Sequence, residues 1–355
     1  MRFRRSRTLV LFLEGDQLVF HNYLAQTSFS AKPIALDIVR RIPAWSDAEA
    51  LSSSLEGYSR QSVEKAISDL IALGALITEG SEAAEAEAEY EQKWQWGPFA
   101  AAYHFGTRGT TFEADETVHE TLAQLTKFSP SPPLYQLARD ASNAVTVPLD
   151  AAYEEPFLTM GRRRTNRLML DRSIPLKAIS DCLLFSMAIT AVLEDAEIGD
   201  LPLKMTPSGG ARNPYEAYVC ARRVEGLEPG VYHYSAFERS FEQVRPAPLP
   251  SFTNLIGGQD WGENASAMIF LVADFARTMW KYHDAMAYRV VMIEAGHIAQ
   301  NIMLAATKHG LHANPTGALN ADAVEATLGV SGITKTVVYA LGVGHAEPGG
   351  PPQPA

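Results

Sequence analysis

Apolar and polar positions alternate from residue 8 to residue 23, with Leu9, Leu11 and Leu13 on one side and Glu14-Gly15-Asp16 as a turn signal, so this stretch predicts a β-hairpin. The period then lengthens. Ile34, Ile38 and Ile42 recur at helical spacing until Pro43. Ser59 opens a second helix whose stripe of Val63, Ile67, Leu70, Ile71 and Leu73 ends before Gly74. Leu76-Ile77 leads out as a short strand. Hairpin, helices and strand together predict a small winged-helix-like module over residues 1–80.

The Ala/Glu run from Ser81 to Glu91 reads as a solvated helix or a flexible linker. It opens a helical connection, residues 81–154, that carries Trp94, Trp96, Phe99, Tyr103, His104 and Phe105 and breaks at Pro130, Pro132 and Pro133. His104 among these aromatics is read as a packed side chain rather than a base or ligand.

From about residue 155 to 347 the texture is that of an α+β domain, followed by a flexible tail, 348–355. A helix is expected near Leu176 to Leu193, and another from Tyr288 to His309, where Val291, Ile298, Ile302 and Ala305 form the apolar stripe of a core helix. Strands are expected at Ala217 to Val224, Gly230 to Tyr234, Ala267 to Phe275 and Thr336 to Val343, all rich in β-branched and aromatic residues.

Charge and cysteine content narrow the chemistry. With 41 acidic and 30 basic side chains among 355 residues, the net charge of −11 disfavours a general nucleic-acid binder, so any anion site must be local. Cys182 and Cys220 lie in apolar stretches and read as buried thiols of a cytoplasmic protein. Arg2, Arg4, Arg5 and Arg7 precede an apolar stretch that Glu14 and Asp16 end short of signal-peptide length, and no membrane span is expected. Neither a dinucleotide-binding Gly-x-Gly-x-x-Gly after a strand nor a phosphate-binding Walker loop occurs.

Three constellations carry chemistry. Arg162 to Arg167 joins arginine forks to the hydroxyl of Thr165, a pattern that suits a phosphate monoester as well as a solvated loop. Pro207-Ser208-Gly209-Gly210-Ala211-Arg212-Asn213-Pro214 lets backbone groups approach a flat ring, or makes an ordinary turn. Trp280-Lys281-Tyr282-His283, ahead of Tyr288-Arg289, offers a lysine and a phenol that can share a proton if an apolar cleft holds them, and is otherwise a solvated helix start.

Taken in order, Arg163-x-Thr165-x-Arg167, "PSGGARNPYEAYV", "GLEPGVYHY", "MIEAGHIAQNIMLAATKHGL" and "VVYALGVGH" resemble the SagB-type dehydrogenases, over roughly Trp94 to Glu347. These are nitroreductase-fold, FMN-dependent azoline oxidases that mature thiazole- and oxazole-containing peptides. The resemblance implies a central, mainly antiparallel sheet flanked by helices. It implies an FMN phosphate and ribitol site at Arg163, Thr165 and Arg167, and a loop on the isoalloxazine edge at Pro207, Ser208, Gly209 and Gly210, with Asn213 touching the ring or its tail. Lys281-Tyr282 stands where the family's catalytic Lys-Tyr pair stands. Asn314, Pro315, Thr316 and Gly317 match the segment near the flavin's reactive face, and His345 matches the end that closes on the phosphate, although Ala346 and Glu347 replace the basic residue that commonly follows.

The implied partners are a modified precursor peptide, a cyclodehydratase complex and a second copy of the chain, with FMN at the interface of a homodimer. The N-terminal module loosely resembles recognition elements that add a leader peptide as an extra strand. A DNA-binding reading ranks below it, because the helix after Ser59 sets Glu64 and Asp69 beside Arg60 and Lys65; a structural cap is the third reading. A general NAD(P)H-dependent nitro- or quinone reductase, which would not need Lys281-Tyr282, and a non-catalytic binding protein are the alternatives to the oxidase.

Overall fold

The computed structural model describes residues 1–106, 108, 157–194, 201–282, 286–330 and 333–347. Pro130, Pro132, Pro133, His283, most of the expected connection and the tail lie outside the described residues.

The N-terminal module contains β1 (Phe3–Arg5), β2 (Leu9–Glu14), β3 (Gln17–Asn22), β4 (Thr27–Ser30), α1 (Pro33–Arg41), α2 (Ala48–Ser54), α3 (Arg60–Ala72) and β5 (Leu76–Thr78). The hairpin forms as expected, with Glu14 opposite Gln17 across the turn, and β4 adds a third antiparallel strand on the outer side of β3. Ser59 caps α3 by accepting from the Ser62 N–H, and Gly74 ends it at φ +74°. β1 pairs with β5, bringing Phe3 onto a module core that includes Phe20, Ile38, Val63, Ile67 and Leu70.

The Ala/Glu run is a docked helix, α4 (Glu82–Lys93), and not a solvated one or a linker. Glu87 is its anchor: 2% exposed, it accepts from the Arg4 guanidinium at 2.7 Å, from Ser6 Oγ and from the Arg7 backbone N–H. A buried carboxylate persists only with such partners. Arg2 pairs with Glu79 and Arg7 with Glu91, so three of the four N-terminal arginines face carboxylates of this chain rather than a phosphate backbone. In α5 (Gly97–Gly106), His104 sits against Trp94, Phe105, Phe275 and Tyr288, with Nδ1 3.1 Å from the Tyr288 hydroxyl, as a packed side chain.

The larger body is α+β. It runs through α6 (Phe157–Arg162), β6 (Ile174–Pro175), α7 (Leu176–Met187), β7 (Ile189–Leu193), β8 (Leu201–Lys204), β9 (Tyr215–Ala221), β10 (Val224–Glu225), β11 (Gly230–Ser235), β12 (Ser240–Pro246), α8 (Phe252–Leu255), β13 (Ala267–Asp274), α9 (Phe275–Met279), α10 (Met286–Lys308), β14 (His312–Thr316), α11 (Ala321–Leu328) and β15 (Lys335–Gly344). Six strands form one antiparallel sheet in the order β12-β11-β9-β13-β15-β14. Along central β13, Ala267, Ile269, Leu271 and Ala273 face the core under α7 and α10, while Met268, Phe270 and Val272 face the core under α8 and α11.

Several expectations need correction. The helix expected to reach Leu193 stops at Met187, because Ile189-Thr190-Ala191-Val192-Leu193 pairs instead with β8. The strand expected at 217–224 begins at Tyr215 and breaks after Ala221, with Val224 pairing separately with Ile174. Among the described residues α10 is long and apolar enough to cross a membrane by length and composition, against the expectation from the sequence, yet its Val291, Ala295, Ile298, Ile302 and Ala306 stripe is buried in the core.

Candidate functional site

The loop after β8 carries the first group of expected site residues. Its turn, Gly209–Ala211, puts Gly210 at φ +61°, and Ala211 and Asn213 also take positive φ, at +55° and +46°. Such backbone is costly for residues with a Cβ and persists only where surrounding bonds hold it. The Asn213 N–H donates to Ser208 Oγ at 2.9 Å, and Ser208 Oγ donates to Glu294 Oε2 at 2.8 Å. The Lys204 ammonium lies 3.1 Å from Glu294 Oε1, both side chains nearly fully buried. Burial pulls the Lys204 ammonium below its ordinary pKa, and the Glu294 carboxylate opposes that shift. Asn213 Nδ2 donates to Pro202 O on β8 and to Ala211 O of its own loop, while the Arg277 guanidinium donates to Asn213 O at 2.8 Å.

Lys281 and Tyr282 close on this loop. A Cβ on Gly210 would overlap the Tyr282 hydroxyl and stand 3.1 Å from Lys281 Nζ, and one on Gly209 would stand 2.6 Å from Val290 Cγ1. A larger residue at Gly209 would push against Val290, while at Gly210 it is the positive φ that favours glycine, since the Tyr282 and Lys281 ends could shift. Lys281 Nζ lies 5.5 Å from the centre of the Tyr282 ring. The pair follows α9, and both residues donate their backbone N–H to Thr278 O. Within one chain they are exposed, so the apolar wall expected around the lysine is not supplied by these contacts.

The second group gathers elsewhere. Arg163, Thr165 and Arg167 follow α6 on a segment fixed by Asn166, whose N–H donates to Asn314 Oδ1 at 3.0 Å and whose carbonyl accepts from Asn314 Nδ2 at 2.7 Å. Thr165 and Arg167 are exposed and Arg163 half-buried; among the described residues neither arginine has a carboxylate partner, and Arg167 lies over the Trp261 ring. Pro315 pairs with Leu341 on edge strand β14, Thr316 Oγ1 accepts from Gln259 Nε2, and Gly317 follows. His345 O accepts from the Leu170 N–H, tying the C-terminal end to the same segment. Burial first, and the Arg172 charge second, lower the His345 pKa, which favours a neutral imidazole at neutral pH.

The chain thus brings Pro207, Ser208, Gly209, Gly210, Asn213, Lys281 and Tyr282 together, and Arg163, Thr165, Arg167, Pro315 and His345 together, but not the two groups with each other. Ser208 and Gly209 abut Glu294 and Val290 on α10, while the Arg164 carbonyl meets His312 just beyond the other end of that helix. The intervening helix is about 27 Å long at 1.5 Å per residue.

Lys204, Glu294, Arg277, Glu216 and His233 were not singled out from the sequence. Arg277 and His233 both bind the Glu216 carboxylate, and these residues with Arg212 line a cavity of 490 Å³ behind the loop. Burial would raise the Glu216 pKa, but the bonds and charges of His233 and Arg277 hold it down at about 2. Glu294 had a legible signal: a carboxylate on the apolar stripe of a core helix needs a buried partner.

Residues 160–345, just over half of the chain, match the model of the nitroreductase family. The chain belongs to that family of flavin-binding oxidoreductases. It is 28% identical over 184 residues to the trifolitoxin-processing protein TfxB of Rhizobium leguminosarum bv. trifolii, covering 50% of this chain and 49% of that one. It is 30% identical over 112 residues to the microcin B17-processing protein McbC of Escherichia coli, covering 30% of this chain and 40% of that one. The chain spans half or less of the length of these two relatives. The E. coli microcin synthetase McbBCD complex with truncated pro-MccB17 bound holds a chain of like fold, with a TM-score of 0.53 at 19% identity over 74% of this chain and 97% of that one.

Proposed function

We propose that this protein is an FMN-dependent azoline oxidase that converts thiazolines or oxazolines in a modified precursor peptide to thiazoles or oxazoles. The observation that carries this reading is the packing of Lys281 and Tyr282 on Gly210 of the glycine loop, in a nitroreductase-family domain. A general reductase of the same family has no use for such a proton-accepting pair beside its ring loop. TfxB and McbC are named for the processing of trifolitoxin and of microcin B17.

The residues fit FMN. Arg163, Arg167 and the Thr165 hydroxyl present donors that match phosphate oxygens and are not spent on carboxylates among the described residues. Gly209 and Gly210 add no side chain of their own to the loop, and the ends of Tyr282 and Lys281 lie against Gly210. Bound FMN supplies the two-electron acceptor. The Lys281-Tyr282 pair accepts the acidic Cα proton of the azoline as a hydride departs from the adjacent ring carbon, and the ring becomes aromatic. Dioxygen, as the terminal oxidant, takes up both electrons.

Two half-sites toward opposite ends of α10 are complementary when two copies of the chain pair, each contributing one half to a shared FMN site. The surface beside α10 favours this. Ile293 is 51% exposed, and Phe185, Leu203 and Met205 are also uncovered, near Asn301, which donates to Phe185 O and Thr206 Oγ1. A partner seated there would cover Lys281 and supply the missing wall.

The precursor peptide has a docking place of its own in this reading. A groove of 660 Å³ runs between β4 and α3, floored by Phe29, Ile34, Ala66, Leu70 and Leu73, and β4 has no strand on its outer edge among the described residues. An extended peptide added to that edge would place alternate side chains in the groove. A cyclodehydratase acting upstream in the same reducing compartment completes the assignment. Cys182 and Cys220 are compatible with it, since burial pushes both thiols up to about 12 and keeps them unreactive.

The test is a visible spectrum of the purified protein, identification of the cofactor released by heat, and turnover of an azoline peptide. A flavin spectrum, released FMN and azole formation that fails in Lys281→Ala and Tyr282→Phe with flavin retained are the expected results. Normal turnover in both variants would sink the assignment, and so would a colourless protein that cannot be reconstituted with FMN. Rapid bleaching by NADPH alone, with no azole formed, would point to the general reductase.

A further inference from the structure

Trp96 lies in the connection between α4 and α5, well before the matched residues 160–345. It is 2% exposed, and its indole Nε1–H donates to the backbone carbonyl of Tyr282 at 2.9 Å. Its ring meets Phe275, at the start of α9, edge-on at 5.3 Å and Tyr288, in the first turns of α10, at 5.7 Å. The neighbouring Gln95 N–H points at Met279 Sδ at 3.4 Å. The short stretch from Phe275 to Tyr282 is therefore gripped from the N-terminal side at three points. From the opposite side Arg212 grips it, donating to Arg277 O and stacking on Trp280 at 4.6 Å.

The grip matters because the Lys281-Tyr282 pair is exposed, with the ends of its side chains against the loop at Gly210. The two N–H groups share a single acceptor, Thr278 O. An indole donor on the Tyr282 carbonyl fixes the orientation of the last peptide plane, from which the phenol and, one residue earlier, the ammonium project. Trp94 meets both rings edge-on, 5.7 Å from Trp96 and 5.7 Å from Phe275, which braces the strut.

We propose that Trp96 is a positioning residue for the Lys281-Tyr282 pair, so that a segment outside the matched nitroreductase region completes the catalytic geometry. This rests on the azoline-oxidase reading for its turnover readout only. The test uses the full-length FMN-loaded protein carrying Trp96→Phe, which keeps an aromatic ring and loses the donor, and Trp96→3-benzothienylalanine, which keeps the shape of the indole with sulfur in place of N–H. Loss of one hydrogen bond to a reacting segment is expected to lower kcat about tenfold. KM and flavin content should be unchanged, and amide hydrogen exchange at Lys281 and Tyr282 should quicken about tenfold.

Wild-type kcat in both variants would overturn the proposal, whether or not exchange changes. A fall in flavin content or a rise in KM that accounts for the whole loss of activity would overturn it as well, by making Trp96 a general packing residue. If the unsubstituted protein turns over no azoline, that result rejects the oxidase reading. Exchange at Lys281 and Tyr282 then decides the positioning role, which falls if the rates in both variants match the unsubstituted protein.

Discussion

The two half-sites are built on opposite plans. The loop from Pro207 to Asn213 is held by buried charge, through Lys204, Glu294 and Ser208, and by Arg277 on the Asn213 carbonyl. The segment from Arg163 to Arg167 is held through its backbone, through Asn166 and through the Arg164 guanidinium on Gly161 O and Arg163 O, while Arg163 and Arg167 have no carboxylate partner among the described residues. A surface that must approach a flat ring closely has to be rigid before the ring arrives, because its strained φ values at Ala211 and Asn213 would otherwise relax. A surface that binds a dianion gains instead from guanidinium groups that are uncommitted until the anion neutralises them. The first half should therefore betray damage in the unliganded protein, and the second only when FMN is offered.

The largest expected effect breaks the rigid half. Glu294→Ala leaves the Lys204 ammonium buried without its counter-charge and deprives Ser208 of its acceptor, at a cost of about 3–5 kcal/mol. Urea unfolding of the FMN-free protein measures it. Glu294→Gln, which still accepts from Ser208, should lose less. If Glu294→Ala unfolds like the unsubstituted protein, the loop is not held in the way the bonds indicate.

Next come the catalytic pair and the phosphate segment. Lys281→Ala should lower the rate of azole formation by about 10²–10⁴, the usual range for a positioned general base, with unfolding unchanged because the side chain is exposed. Arg163→Ala and Arg167→Ala should each weaken FMN binding, measured by fluorescence titration, by about 1.5–3 kcal/mol, the range for hydrogen bonds to a charged group. Neither should change stability without FMN. A stability loss in these two variants would erase the contrast between the halves.

The same contrast governs what could be read from the amino-acid order. Gly209-Gly210 and the Arg163-x-Thr165-x-Arg167 run were legible because each rests on local requirements, backbone freedom in one and donor chemistry in the other. Strand β13 and helix α10 were legible because their periods are strong. Lys204 and Glu294, 90 positions apart in the sequence, were not seen as a pair because the place of Glu294 on an apolar stripe shows that it needs a buried partner but not which residue supplies it. Edge strands β12 and β14 escaped for a related reason: Ser240–Pro246 is mostly exposed and polar, and Pro315 interrupts the other. Glu87 misled in the opposite direction, since a run of Ala and Glu advertises solvent and gives no sign that one of its carboxylates lies under Arg4.

The expected effect of pH distinguishes the halves by where they titrate. Glu216, beside the loop, has its folded-state pKa depressed to about 2 by His233 and Arg277 against the opposing effect of burial. Its contribution to stability is fully present above the unfolded value near 4.5 and is lost as pH falls from there toward 2. His345, in the phosphate half, is depressed from its ordinary value of 6.5 by burial and by Arg172. It prefers to be neutral when folded, so the native state is favoured above pH 6.5 and disfavoured as the pH drops below that value and the imidazole must charge. Stability should therefore decline in two stages on acidification. Glu216→Gln should flatten the lower stage and leave the upper one, whereas His345→Asn should flatten the upper one by a smaller amount, because the imidazole is only partly buried. Thermal midpoints of the FMN-free protein from pH 8 to pH 3 would show this. No decline in the upper range in the unsubstituted protein would remove His345 from the balance, and a Glu216→Gln curve identical to that of the unsubstituted protein would mean that the His233 and Arg277 bonds do not hold that carboxylate ionised.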